Sequence, residues 1–205
     1  MTPVDDFQST IRKLMAGRDV LNAQLTSTRA FKQARAYALQ GLYLVAVRSF
    51  ESFLEDQIHA LACGRVSWSA RNLANGDSVE WSQRLVEQRP KIVKTIMLRG
   101  RDYVDYLPFE RTAEIARLLF HGGRPFTKLE QVHRESLTRC LRVRHYIAHE
   151  SDHSYRLFLD SYARIKPSRS RRPKAIHYLD DQIRAGVTFF EHDLSELVTI
   201  ARFLS

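Results

Sequence analysis

Residues 36–62, AYALQGLYLVAVRSFESFLEDQIHALA, decide the fold class. Leu39, Leu42, Tyr43, Ala46, Phe50, Phe53, Leu54 and Leu61 recur with a period of about 3.6 residues and form one broad apolar stripe. The segment is therefore read as a long amphipathic helix, stopped by Gly64. Its apolar run is too short, and too interrupted by Gln40 and Gly41, to span a membrane.

Working outward, the same periodicity predicts helices along nearly the whole chain. Val4 to Arg35 reads as one helix, with Phe7, Ile11, Leu14, Leu21 and Leu25 on one side and Gly17 as its weak point. Residues 64–80 carry the Asn75-Gly76-Asp77 turn signal and read as a loop. A short helix is expected over 81–97, interrupted by Pro90, and another over 109–120. His121 to Pro125 is a second break. Thr127 is expected to N-cap a helix that runs to about His149, with Glu130 at the capping-box position. A last helix is expected from about Tyr178 to Leu204, with Ile183, Val187, Phe190, Leu194, Leu197, Val198 and Ala201 apolar. No strand pattern and no internal repeat stand out. The expectation is a single all-α domain: a bundle of four to five main helices, with 64–127 as an irregular middle insertion.

The chain has 205 residues and is 44% hydrophobic, enough for a real core and incompatible with a disordered tail protein. Its two cysteines, Cys63 and Cys140, make neither a disulfide framework nor a four-thiolate zinc site, which suits a reducing, cytoplasmic setting. The first residues show no signal-peptide pattern.

Charge is unevenly placed. The net charge is +9, yet Gln131 to Ala175 alone holds eleven basic and four acidic residues, and 25 of the 32 basic residues are arginine. Arginine's planar fork matches phosphate bidentately, so a polyanion, most simply nucleic acid, is the leading partner. The alternative is a solvated patch in an Arg-rich composition. Arg164, Lys166, Arg169, Arg171, Arg172 and Lys174 stand within eleven residues free of acid. With its prolines and serines, this segment reads as a flexible arm that clamps an RNA backbone, or as a solvated loop.

Within Leu137 to His149 the pattern breaks. On a helical wheel Cys140, Leu141, Ile147 and Ala148 lie within about 80° of Leu137, and Arg144 falls in their midst at about −20°. A guanidinium there costs several kcal/mol unless it is paired or opens onto a polar cleft. It could bridge to an internal carboxylate, snorkel out past Ala148, or serve a site. Arg142, His145 and His149 gather on the other side, a grouping suited to phosphoryl-transfer chemistry, in which imidazole moves protons and arginine holds phosphate. Two rivals remain: a metal site from His145, His149 and His153, and plain surface histidines. Tyr146 points away from the apolar stripe and is a candidate for stacking a base. Phe50, Phe53, Phe189 and Phe190 read as core or dimer packing. Trp68 and Trp81 fall in the unassigned middle.

Arg144-His-Tyr-Ile-Ala-His149 matches the Arg-x4-His signature of the HEPN superfamily, and residues 46–58 resemble the helix that members pack against it. Together with the basic loop and the closing helix, the chain is similar to the RiboL-PSP-HEPN branch over roughly 36–62 and 128–205. The resemblance implies a helical bundle that homodimerises, placing two motifs in a cleft between subunits. It implies a metal-independent endoribonuclease without cofactor, of the kind found among toxins and anti-phage effectors, with an antitoxin or other regulatory protein as a further partner. In that reading His149 is the acid or base, Arg144 binds the phosphate, and His145 orients it or carries a second proton. Glu51 is a candidate for pairing Arg144 or orienting an imidazole. The alternatives are a non-catalytic HEPN-like module that binds RNA or protein, and a helical DNA-binding regulator, for which no recognition helix stands out.

Overall fold

A computed structural model describes residues 2–24, 28–66, 89–98, 106–165 and 173–205. The architecture is all-α apart from one small hairpin. Helix α1 (Pro3–Ala23) starts where Thr2 and Asp5 exchange hydrogen bonds in a capping box and Pro3 supplies its preset φ. Gly17 does not break it; a Cβ there would meet only the Leu42 side chain at 3.8 Å.

Helix α2 (Arg29–Ala62) begins earlier than its apolar stripe suggests, because the Thr28 hydroxyl accepts the N–H of Phe31. The single helix expected over 4–35 is therefore two elements. α2 is the central element, packed against α1 and most of the helices introduced below. Leu39, Tyr43, Ala46, Phe50, Phe53 and Leu54 are buried, and Phe7 of α1 meets Phe50 and Phe53 at 5.6 and 5.5 Å. It ends at Cys63, followed by Gly64 with φ 68°.

The part of the expected 81–97 helix before residue 89 lies outside the described residues, and helix α3 (Arg89–Leu98) holds Pro90 in its first helical turn. A missing N–H costs nothing there, since no preceding carbonyl awaits it. Helix α4 (Phe109–Leu119) matches expectation and is followed by two 3₁₀ turns, His121–Gly123 and Phe126–Lys128. Ile115, Ala116, Leu119 and Phe126 share one hydrophobic cluster with α2, so this part of the expected insertion belongs to the core. Most of the expected loop over 64–80, with Trp68, and residue Trp81 lie outside the described residues.

Helix α5 (Gln131–His149) is the motif helix. Thr127 is not its cap: that hydroxyl donates to the Gly122 carbonyl at 2.7 Å, and Glu130 occupies the N-cap position without a side-chain cap bond. Helix α6 (Asp152–Ala163), capped by Ser151, was not anticipated. The expected helix over 178–204 is also corrected. It is α7 (Ala175–Asp180), an antiparallel hairpin of β1 (Gln182–Arg184) and β2 (Val187–Thr188), and α8 (Phe189–Phe203). Gly186 turns the hairpin at φ 76°, and Thr188 with Glu191 opens α8 through a capping box.

One polar node sits inside this core. The Asp193 carboxylate of α8, fully buried, accepts from the hydroxyls of Tyr43 and Tyr178, each at 2.8 Å. It also accepts from Arg139 of α5, at 2.9 Å to Nη2. Burial works against the Arg139 charge, but Asp193 outweighs it and holds that pKa above its usual value. The node ties α2, α5, α7 and α8 together and fixes where the motif helix sits. Among the described residues no helix is long and apolar enough to cross a membrane.

Candidate active site

The buried side of α5 is formed by Leu137, Cys140, Leu141 and Val143. Beyond them the cover ends: Arg144 and Ile147 are half-buried and Ala148 is exposed. The apolar stripe thus runs out of partners where Arg144 enters it. Arg144 makes no hydrogen bond or ion pair with any described residue. The internal carboxylate that would explain it is not there among the described residues.

The helix stays regular through His149 and ends because Glu150 adopts φ 46°, its N–H bonded to the Tyr146 carbonyl. Regular geometry leaves about 140° between Arg144 and His149. A distortion across 146–148 that would bring them onto one face does not occur. The arc between them holds the small Ala148 and, further round, His145, whose ring lies 5.9 Å from that of His149 at 74°. Arginine, methyl and two imidazoles therefore form one accessible strip at the end of a helix.

The other expected residues are placed differently. Glu51 is buried and accepts from Arg48 at 3.4 Å; no hydrogen bond or ion pair joins it to Arg144 or an imidazole. Arg142 donates to Asp160 at 2.6 Å and to Ser161 at 3.1 Å, clasping α5 to α6. Its expected place on RNA is to that extent taken by an internal carboxylate. Asp160 also pairs with Arg164 at 3.4 Å, and the Arg142 hydrogen bond lowers its pKa below the ordinary value. Arg164 is 72% exposed, and Lys174 is exposed at the start of α7. Lys166, Arg169, Arg171 and Arg172 lie outside the described residues.

Tyr146 belongs to an aromatic ladder, stacked on Phe158 at 4.8 Å with Tyr155 at 5.2 Å. Burial raises its pKa. Phe50, Phe53, Phe189 and Phe190 are buried in the core. The spacing of His145, His149 and His153 does not stack three imidazoles, because α5 stops at His149 and His153 begins a new helix. Among the described residues no cluster of three ligand side chains could hold a metal.

Two features were missed in the sequence. Asp193 interrupts the apolar face of α8 between Phe190 and Leu194, a signal comparable to that of Arg144. A cleft of about 470 Å³ opens between the first turns of α2, the end of α5 and the start of α7, with Tyr146, Ile147 and Glu150 of α5 on its wall. The sequence carries no sign of it, because Arg29 and Gln33 precede the apolar stripe that marks α2. Compared with known protein families, curated proteins and solved structures, the chain has no match in any of the three.

Proposed function

We propose that this protein is a metal-independent endoribonuclease that cleaves RNA by attack of a ribose 2′-hydroxyl on the adjacent phosphate. The observation that carries the reading is Arg144: a half-buried arginine with no counter-charge among the described residues, at the uncovered end of a helix that also presents His145 and His149. A cation in that setting is stabilised by a visiting anion, and imidazole is the side chain suited to moving protons next to it.

In the proposed reaction His149 takes the 2′-hydroxyl proton or protonates the leaving 5′-oxygen. Arg144 binds the phosphate and stabilises the charge that develops on its oxygens. The products are a 2′,3′-cyclic phosphate and a 5′-hydroxyl end. Proton transfer of this kind contributes about 10²- to 10⁴-fold, and placed charge commonly contributes more. The angle between Arg144 and His149 favours a homodimer in which each imidazole works with groups of the second copy. The Arg-x4-His resemblance agrees with that arrangement, and a role as toxin or defence effector, held in check by a regulatory protein, follows from it.

The test is cleavage of single-stranded RNA by purified protein in EDTA, with 2′,3′-cyclic phosphate ends identified by mass. Arg144→Ala and His149→Ala should each abolish it while the melting temperature holds. RNA that is bound but left intact would replace the enzyme with a non-catalytic binding module. Activity that disappears with chelator would refute the metal-independent mechanism.

A further inference from the structure

The cleft beside the motif helix has its own chemistry. Arg29 and Lys174 stand on its rim as exposed cations, and neither side chain has a hydrogen-bond or ion-pair partner among the described residues. Tyr37 is 63% exposed, a large aromatic ring held in water on a helix face. Gln33 and Gln40 bring side-chain amides to the same wall, and Gln33 donates to the Tyr37 hydroxyl at 3.3 Å. Ala36, Ile147 and Ile176 supply apolar surface. One acid, Glu150, lines the cleft as well.

We propose that this cleft is a nucleotide subsite, which receives one base and its phosphate from the RNA strand next to the bond that is cut. The proposal rests on the ribonuclease reading above. A volume of about 470 Å³ suits one nucleotide and lies within the usual range of small-ligand sites. Two cations with no partner among the described residues recognise a phosphate, an exposed tyrosine offers a flat face to any base, and the amides reach base edges. Glu150 is an acceptor for a sugar hydroxyl or a base amino group. An acidic peptide would satisfy the cations but would leave the ring and amides without a matching planar, polar partner.

Position supports the same assignment. On the α5 wheel Tyr146 and Ile147 stand at about 180° and 280°, the long way round between His149 and Arg144, and Glu150 caps the same end of the helix. The cleft wall thus borders the motif on both flanks. Tyr146 precedes His149 by three residues, or about 4.5 Å along the axis. A nucleotide in the cleft would lie a single backbone step from the strip that performs the chemistry.

The test uses the full-length chain with three probes: a six-nucleotide RNA carrying 2′-O-methyl groups that prevent cleavage, adenosine 5′-monophosphate, and inorganic phosphate. Tyr37→Ala should weaken hexamer binding roughly tenfold. Arg29→Ala with Lys174→Ala should weaken it further and reduce the slope of log affinity on log salt by about 1.4, the value for two single-strand phosphate contacts. All three side chains are exposed, and unchanged melting curves verify the fold. On cleavable RNA these variants should raise KM and leave kcat near the parent value.

Hexamer affinity within twofold of the parent in all variants would overturn the subsite. Loss of monophosphate binding alone, with RNA affinity and cleavage unchanged, would overturn the RNA assignment in favour of a free nucleotide. Inorganic phosphate competing as well as the monophosphate would overturn base recognition. His149→Ala should lose cleavage yet keep hexamer affinity and its dependence on Tyr37. A parent protein that cuts no RNA while the cleft variants still lose affinity would refute the ribonuclease reading and leave the subsite standing.

Discussion

Replacing Asp193 with alanine should remove the node that seats the motif helix. Asp193 is fully buried, and its partner Arg139 is 14% exposed, so the substitution leaves a guanidinium with little access to water and no counter-charge. Breaking a buried pair from one side costs about 3–5 kcal/mol. The Tyr43 and Tyr178 hydroxyls lose the same acceptor, and each orphaned donor adds about 1 kcal/mol or more where water cannot enter. The expected loss is about 5–7 kcal/mol. For a chain of this size each kcal/mol lowers Tm by roughly 2–4 °C, so the melt should fall by roughly 10–28 °C. Urea titration followed by helical circular dichroism measures it directly. Asp193→Asn keeps an acceptor for the tyrosines and should cost less than alanine. Asp193→Leu with Arg139→Met, which removes both charges, should recover most of the loss. An alanine variant within about 1 kcal/mol of the parent would refute the view that charge at this node holds the helices together.

The remaining predictions concern separate regions. Cys140 is 1% exposed and burial raises its thiol pKa far above the usual value, whereas Cys63 is half-buried at a helix end. A maleimide should therefore label one thiol per native chain and two after denaturation; rapid native labelling of Cys140 would count against the packing of α5. Asp160 has its pKa lowered from 3.8, first by the Arg142 hydrogen bond and further by Arg164. Its contribution to stability is thus present above about pH 4 and lost as pH falls through the lower folded value. Asp160→Asn should reduce urea resistance at pH 7, with the difference from the parent shrinking below pH 4; a difference that grows in acid would contradict the assigned pairing. Gly123 sits at φ 72°, and a Cβ would come within 2.7 Å of Thr127 Cγ2 and 2.8 Å of Arg117 Cγ. Gly123→Ala should cost about 1–3 kcal/mol, read from the same urea titration.

The long helix could be read from its sequence because its apolar stripe is unbroken and Gly64 marks its end. The last turn of α5 was also legible: Ser151 and Asp152 argue against continuation past His149. Boundaries set by a single side-chain bond were not, since Thr28 and Thr127 offer the same hydroxyl and only one caps a helix. Helix α6 carries Tyr155, Phe158, Leu159 and Tyr162 at helical spacing, a signal eclipsed by the basic residues around it. The hairpin before α8 was hidden because Ile183 and Val187 fit a helix period as well as a strand. At the site, Arg144 is visible as a charge out of place, and the structure adds that no described residue pairs with it. Glu51 and Arg142 were expected at the site on residue type, but each has a nearer internal partner, Arg48 and Asp160. Pairing of that kind depends on distances that no spacing rule contains.

Arg144, without a partner among the described residues, also implies under the proposed function that a bound anion stabilises the protein. Any anion that settles against it returns free energy withheld from the unliganded fold, and the return shows as a higher melting temperature. At a ligand concentration one hundred times Kd the gain is about 2.7 kcal/mol, a shift of several degrees for a chain of this length. A thermal screen of phosphates, cyclic phosphates and short RNAs can therefore rank ligands before a target is known. Under the proposed mechanism the His149→Ala protein is the natural reagent for it, because it retains the arginine and should leave the RNA uncut.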